Sequence, residues 1–237
     1  MAKKGLSVSR DRLHAMPASR LLALTLLFFG LKPLAGEVIN FDSYAIGRLP
    51  PDWREVNSYE GWPANWSVLA DPAAPSRPHV LTKIATQPDA RGIPKVIWQK
   101  RVFQDGEVSV RLKPMGGLSA EIAGLIFRYA DEKNYYMLSA NALTGRLLLY
   151  RVQNGERMPI GAPAANVQGR DGVLSLPAGE WSRFRVTCDG PNIAVYFNGE
   201  KLLEARDATP GWPGTAGLWS DASSLTGFDD FEVLIKK

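Results

Sequence analysis

The chain has 237 residues, 45% of them hydrophobic, enough to bury a substantial core in one domain. Its formal charge of +4 is concentrated near the start: residues 1–36 hold six of the 28 basic and one of the 24 acidic residues, so the remainder carries 22 against 23 and no dense Lys/Arg cluster, which excludes a non-specific nucleic-acid binder. A single cysteine, Cys188, rules out an intramolecular disulfide, and with His79 the only histidine beyond residue 36 the usual His/Cys zinc sites are unexpected.

Lys3, Lys4, Arg10, Arg12 and Arg20 precede the apolar run Leu21 to Leu31, which is followed by Lys32-Pro33-Leu34-Ala35-Gly36. This is the layout of a secretory signal, with cleavage after Ala35 or Gly36. The run is about half the ~20 residues that span a bilayer, so a retained anchor is the weaker reading. A start at Met16 would give a shorter signal beginning MPASR, and both starts stay open. The expectation is a signal peptide over residues 1–36 and one domain over 37–237, exported to the periplasm or beyond, with no membrane span after cleavage.

From Val38 onward no stretch has helical periodicity. Short β-branched, aromatic and leucine runs recur between Gly, Pro, Asn and Asp, predicting strands at Val38–Asp42, Trp66–Ala70, Val80–Ile84, Lys95–Val102, Gly106–Lys113, Glu121–Tyr129, Tyr135–Asn141 and Arg146–Val152. Five more follow at Trp181–Cys188, Asn192–Asn198, Lys201–Ala205, Thr215–Ser220 and Phe228–Ile235. Asn154-Gly155, Asp189-Gly190 and Asn198-Gly199 suit tight hairpins that need positive φ. Leu49–Trp53, Asp71–Pro78 and Pro159–Leu174 read as loops. So many short strands predict two packed antiparallel sheets.

The segment Ala123–Tyr136 (AGLIFRYADEKNYY), the LLLYRV run after it and Glu180–Val186 resemble the concanavalin A-like and laminin G-like jelly-roll superfamily. So do Asn198-Gly199, Asp207, Gly217-Leu218-Trp219-Ser220 and Phe228-Asp229-Asp230-Phe231, in an order similar to exported bacterial domains related to the 3-keto-disaccharide hydrolases. The resemblance spans roughly residues 38–235 and implies a two-sheet jelly roll. It leaves function open, because the superfamily holds lectin-like modules, glycosidases and lyases.

Laminarinase-type glucanases of that superfamily carry Glu-x-Asp-x-x-Glu on one strand, where residues two apart share a face and can act as nucleophile and acid. This chain lacks the motif; Glu55/Glu60 and Glu200/Glu204 have no Asp between them and fall in an expected loop and hairpin. His79 lacks a nucleophile elbow for a Ser-His-Asp triad, and Cys188 reads as a small buried hydrophobe.

In GLIFRY, alternation puts Leu125, Phe127 and Tyr129 on one face and Ile126 and Arg128 on the other, so Arg128 is expected to project from a sheet. With Tyr136, Arg151, Trp98, Lys100 and Trp219 it would line a groove for sugar or acidic glycan, aromatics stacking and arginines donating. The competing reading makes these ordinary exposed strand residues and core aromatics. Trp53, Trp62, Trp66, Trp181 and Trp212 are expected to pin loops to the sandwich. Asp42 would meet Asp229 and Asp230 if the terminal strands pair, and could hold a structural calcium; the alternative is that Asp229 and Asp230 protect an edge or cap a turn. Asn65-Trp66-Ser67 matches a glycosylation acceptor. Three functions stay open: an exported non-catalytic module binding carbohydrate or another extracellular ligand, a sugar hydrolase resembling the 3-keto-disaccharide hydrolases, and a structural or protein-binding domain of the cell envelope.

Overall fold

In a computed structural model, which describes residues 1, 36–57, 65–84, 93–117, 120–163, 174–209 and 212–236, strand follows strand with no helix among the described residues. In order they are β1 (Glu37–Ile39), β2 (Trp53–Asn57), β3 (Trp66–Ala70), β4 (His79–Lys83), β5 (Pro94–Phe103), β6 (Gly106–Gly117), β7 (Ile122–Asp131) and β8 (Asn134–Asn141). The second half adds β9 (Arg146–Gln153), β10 (Glu156–Ile160), β11 (Ala162–Pro163), β12 (Ser182–Asp189), β13 (Asn192–Phe197), β14 (Glu200–Arg206), β15 (Gly214–Ser220) and β16 (Ser224–Ile235). All lie in one compact unit, Leu34–Lys237. The expected signal segment, Trp62 and Glu60 lie outside the described residues.

The strands form two antiparallel sheets. One has the order β11-β14-β13-β12-β6-β16-β4-β3, with β1 also on β16; the other has the order β10-β9-β8-β7-β15-β5-β2. Alternation explains how they face each other: Leu125, Phe127, Tyr136, Leu138, Trp98 and Leu218 from the seven-stranded sheet meet Val108, Val110, Leu112, Phe184, Val186, Phe228 and Phe231 from the nine-stranded one. Trp53 and Trp98 close on Phe231, with ring centroids 4.9 and 5.9 Å away. The chain is thus an all-β sandwich.

Several expectations change. Strands β2 and β10 occupy segments read as loop or left unassigned: Trp53 opens β2 and is buried in the core, and Glu55 lies in that strand, accepting from the Trp66 N–H. Pro159 continues β10, tolerated because β10 is the edge strand of its sheet. Trp66 likewise belongs to the core rather than to a loop anchor. Asn154 and Asn198 adopt φ of 54° and 48°, each followed by a glycine at positive φ, as their hairpins require.

Candidate functional site

The six residues expected to line one groove occupy three different places. Trp98 is fully buried between the sheets. Lys100 stays exposed at the sheet margin, 2.8 Å from Asp52 and 3.7 Å from Glu37. Trp219 lies on the outer face of the seven-stranded sheet, its indole N–H donating to the Leu138 carbonyl at 2.7 Å.

Arg128, Tyr136 and Arg151 do come together, but inside the sandwich. The ladder between β7 and β8 shifts register after Phe127, and Arg128 takes φ of 46°. One extra residue in a strand reverses the facing of everything beyond it. Tyr129 therefore joins Ile126 on the outer face, and Arg128 turns inward with 1% of its surface exposed, correcting the projecting arginine that alternation predicts. Its guanidinium donates to the Gln104 carbonyl at 2.7 Å, the Gly190 carbonyl at 2.9 Å and the Asp105 carboxylate at 3.1 Å, and lies 5.7 Å from the Tyr136 ring centre. It fastens the β5–β6 and β12–β13 turns to the sheet.

Asp207 is the hub of the second part of this cluster. It accepts from the Tyr136 hydroxyl at 2.9 Å and from Arg151 at 2.9 and 3.2 Å, while Thr209 donates its N–H at 3.0 Å. Burial works to raise the Asp207 carboxyl, but Thr209, Tyr136 and Arg151 together hold it below the usual range. The Tyr136 hydroxyl is pushed up to about 12 by burial and by Asp207. Apart from the buried Arg151 Nε, which has no hydrogen-bond partner, these groups satisfy one another, which is the geometry of a structural network.

The outer face of the seven-stranded sheet is different. Val56, Ile97, Ile126, Tyr129, Tyr135, Met137, Val152 and Trp219 form a second buried apolar cluster there, with Tyr150 against its edge. Gly124 leaves room for the Trp219 indole, whose Nε1 would be 3.2 Å from an added Cβ. Two cavities open beside this band. One of about 390 Å³ is lined by Ile93, Glu132, Lys133, Tyr135, Val152, Gly155 and Arg157. The other, about 420 Å³, is lined by Arg54, Tyr129, Ala130, Asp131, Glu132, Lys133 and Asn134. Each is lined by one largely buried tyrosine together with charged side chains, and Glu132 and Lys133 border both.

The β7–β8 turn that carries those two residues is fixed on both sides. Asp131 accepts from the Lys133 N–H at 2.7 Å and the Asn134 amide at 3.0 Å, and the Asn134 amide oxygen accepts from Asn154 N–H at 3.1 Å. Gly155 N–H reaches the Lys133 carbonyl at 2.9 Å, docking the β9–β10 turn onto the β7–β8 turn. The Asn134 amide chiefly, helped by nearby N–H groups and Lys133, holds the Asp131 carboxyl below its ordinary value. Beneath the band, Lys95 is fully buried; its ammonium donates to the Ile93 carbonyl at 3.1 Å and lies 5.2 Å from the Tyr135 ring centre. Burial draws Lys95 down to about 8 and raises Tyr135 to about 12.

The terminal strands β1 and β16 pair, and Asp42, Asp229 and Asp230 gather as expected from that pairing. Burial pushes Asp229 up to about 7 against the pull of two N–H groups, and Asp230 and Asp42 add to the rise. Their oxygens accept from donors: Asp42 from His79 N–H at 2.9 Å, Asp229 from Ser76 and Asp230 N–H at 2.8 Å each, and Asp230 from the Ser76 hydroxyl at 2.6 Å and Arg111 at 3.1 Å. Among the described residues no group of three or more His, Cys, Asp or Glu is placed to hold a metal.

Sequence reasoning passed over Lys95, Glu132, Lys133, Arg157 and Arg54 as site residues. A signal existed for Lys95, which shares a strand face with Ile97 in an otherwise apolar KVIW run.

Solved structures of the same fold are numerous. Cellulose induced protein, Cip1, superposes with a TM-score of 0.59 at 15% identity, over 84% of this chain and 97% of its own. The carbohydrate binding module CBM66 from Bacillus subtilis gives 0.56 at 13% identity, over 76% and 93%. A Bacillus licheniformis beta-glucanase gives 0.53 at 14% identity, over 85% and 98%. No curated protein matches the sequence. The family model for the 3-keto-alpha-glucoside-1,2-lyase-like domain matches residues 49–233, from just before β2 to within β16. The chain therefore belongs to the 3-keto-alpha-glucoside-1,2-lyase-like domain family.

Proposed function

We propose that the protein is an exported carbohydrate-recognising module whose binding face is the outer face of the seven-stranded sheet around the β7–β8 turn. The observation that carries this reading is the pair of adjoining cavities, each lined by a tyrosine and charged side chains, that share a turn whose hydrogen bonds are already made. Sugars present apolar ring faces and a fringe of hydroxyls, so a site for them needs both surfaces, and fixed rims reduce the entropy lost on binding. The likeness to a carbohydrate binding module supports the fold side of the reading. Affinity electrophoresis through gels containing individual polysaccharides tests it: retardation should occur with at least one glycan and disappear in Tyr135→Ala and Arg157→Ala. Migration unchanged in every gel would overturn it.

Membership of a lyase-like family favours a second reading, an enzyme acting on a glucoside oxidised at C3. A C3 carbonyl acidifies the C2–H; removing that proton and expelling the glycosidic oxygen from C1 forms a C1=C2 double bond, and the leaving oxygen takes up a proton. This reading assigns the exchange of these protons to Glu132, the carboxylate that borders both cavities. Turnover of a 3-keto-disaccharide, followed by NMR and abolished in Glu132→Gln, would move the protein from binder to enzyme.

A further inference from the structure

The outer-face site has a charge imbalance that neutral sugar does not explain. Arg54, Lys133 and Arg157 border the two cavities, and Lys95 lies over the ring of Tyr135, which lines one of them. Against these four cations stand, among the described residues, Asp131 and Glu132, and the Asp131 carboxylate is already engaged by Asn134 and the Lys133 N–H. Lys95 has no exposed surface, one hydrogen bond to a carbonyl, and among the described residues no carboxylate within ion-pair distance. Burying an ammonium is costly in a protein interior, and the Glu132 carboxylate on the cavity rim offsets part of that cost; an anion bound at the same rim would offset more of it. Arg157 sits 5.6 Å from the Tyr150 ring centre, and its charge acts unfavourably on Lys95, whereas Glu132 acts favourably. An anion at this rim would relieve the first effect and replace the second.

We propose that the ligand is an acidic glycan, its carboxylate or sulfate seated between Arg157 and Lys133 with the field of Lys95 beneath. The inference rests on the carbohydrate reading above and adds the class of sugar. Arginine forks match such oxyanions, and the backbone that carries Lys133 is fixed in the docked turn. Because burial draws Lys95 to about 8, with Glu132, Arg157 and Tyr135 the titratable and charged groups facing it, affinity for an anion should weaken as pH rises through that value.

The test is an array of matched polysaccharides, galactan beside galacturonan and a sulfated galactan, and xylan beside glucuronoxylan, probed with the purified protein at pH 7 and pH 9. Expected is a preference for acidic members, falling roughly tenfold in Arg157→Gln and in Lys95→Met and on raising the pH. The uronate and sulfate arms identify which anion is read. Lys95→Met should keep or raise the melting temperature, a result that a merely structural lysine would not give; a lower melting temperature with unchanged preference overturns the assignment. Equal binding of neutral and acidic partners, or preference for the neutral ones, overturns the acidic-glycan inference and leaves the carbohydrate reading standing. Binding to no member overturns both.

Discussion

Lys95 and Asp229 are buried charges of opposite sign whose titrations leave opposite marks on stability. For Lys95 the folded pKa of about 8 lies below the ordinary lysine value, so the unfolded chain holds the proton more tightly and stability should rise from about pH 8 towards pH 10. Lys83, also drawn down to about 8 by burial, adds to that slope. Lys95→Met should flatten part of it and stabilise the protein at pH 7 by about 1–3 kcal/mol, read from urea unfolding across this range. For Asp229 the folded pKa of about 7 lies above the ordinary aspartate value, so the folded state binds the proton more tightly; its contribution is complete below about pH 4 and is lost as pH rises to about 7. Asp229→Asn should remove that decline. The same cluster is where calcium is to be tested: if a cation takes the place of the proton on Asp229, adding calcium at pH 8 raises the melting temperature and chelator reverses it, whereas no shift discards calcium. Asp207 behaves in the opposite sense to Asp229, since its pKa is held down; its stabilisation is lost as pH falls through the acid range, and Asp207→Ala, which removes the carboxylate partner of Arg151 and Tyr136, should cost about 3–5 kcal/mol.

At the scale of the element, alternation carried most of the strand assignment because one face of each strand is buried in the core; Ile193 and Val195 are buried and Phe197 packs against them, as the hairpin pattern indicates. It failed where a single residue breaks the period. Nothing in GLIFRY marks the register shift at Arg128, because the shift is stabilised by distant carbonyls of Gln104 and Gly190 and by Asp105. Arg128, Tyr136 and Arg151 were expected in one groove together with Trp98, Lys100 and Trp219, which lie elsewhere; the inward facing of the three was not legible, and the outer-face placement of Tyr129 that follows from the shift was invisible for the same reason. Strands β2 and β10 escaped because prolines flank or interrupt them, and the cue of an edge position exists only once the sheet is assembled. Two substitutions test these elements. Arg128→Ala should cost about 3 kcal/mol by releasing two turns and leaving their buried carbonyls without a donor, seen as a lower urea midpoint. Gly217→Ala would set a Cβ 2.3 Å from the Val96 carbonyl oxygen in the middle of β15, and should fall below wild type by more than an ordinary surface change, read by thermal melting.

At the scale of the whole molecule the two sheets have different outer surfaces. On the nine-stranded sheet, charges are matched across strands: Arg183 reaches Glu232 at 3.3 Å, and Arg185 reaches Glu107 at 3.1 Å while stacking 3.9 Å from the Tyr196 ring centre. Such neutralised ladders leave little for a ligand to gain. The nine-stranded sheet also has a cavity of about 380 Å³, bordered by Asp189, Glu204 and Arg206; the seven-stranded sheet carries a buried apolar band, two adjoining cavities beside it and, among the described residues there, cations in excess. The sandwich could be anticipated from strand number and turn chemistry, whereas which outer surface binds depends on how distant side chains cancel or leave one another's charge. The most direct measurement is glycan binding by wild type beside Arg157→Ala on the seven-stranded face and Arg185→Ala on the nine-stranded face, with folding of both variants verified by thermal melting. Binding should survive Arg185→Ala and be lost in Arg157→Ala; survival in Arg157→Ala with loss in Arg185→Ala would place recognition on the opposite sheet and contradict a binding face on the seven-stranded one.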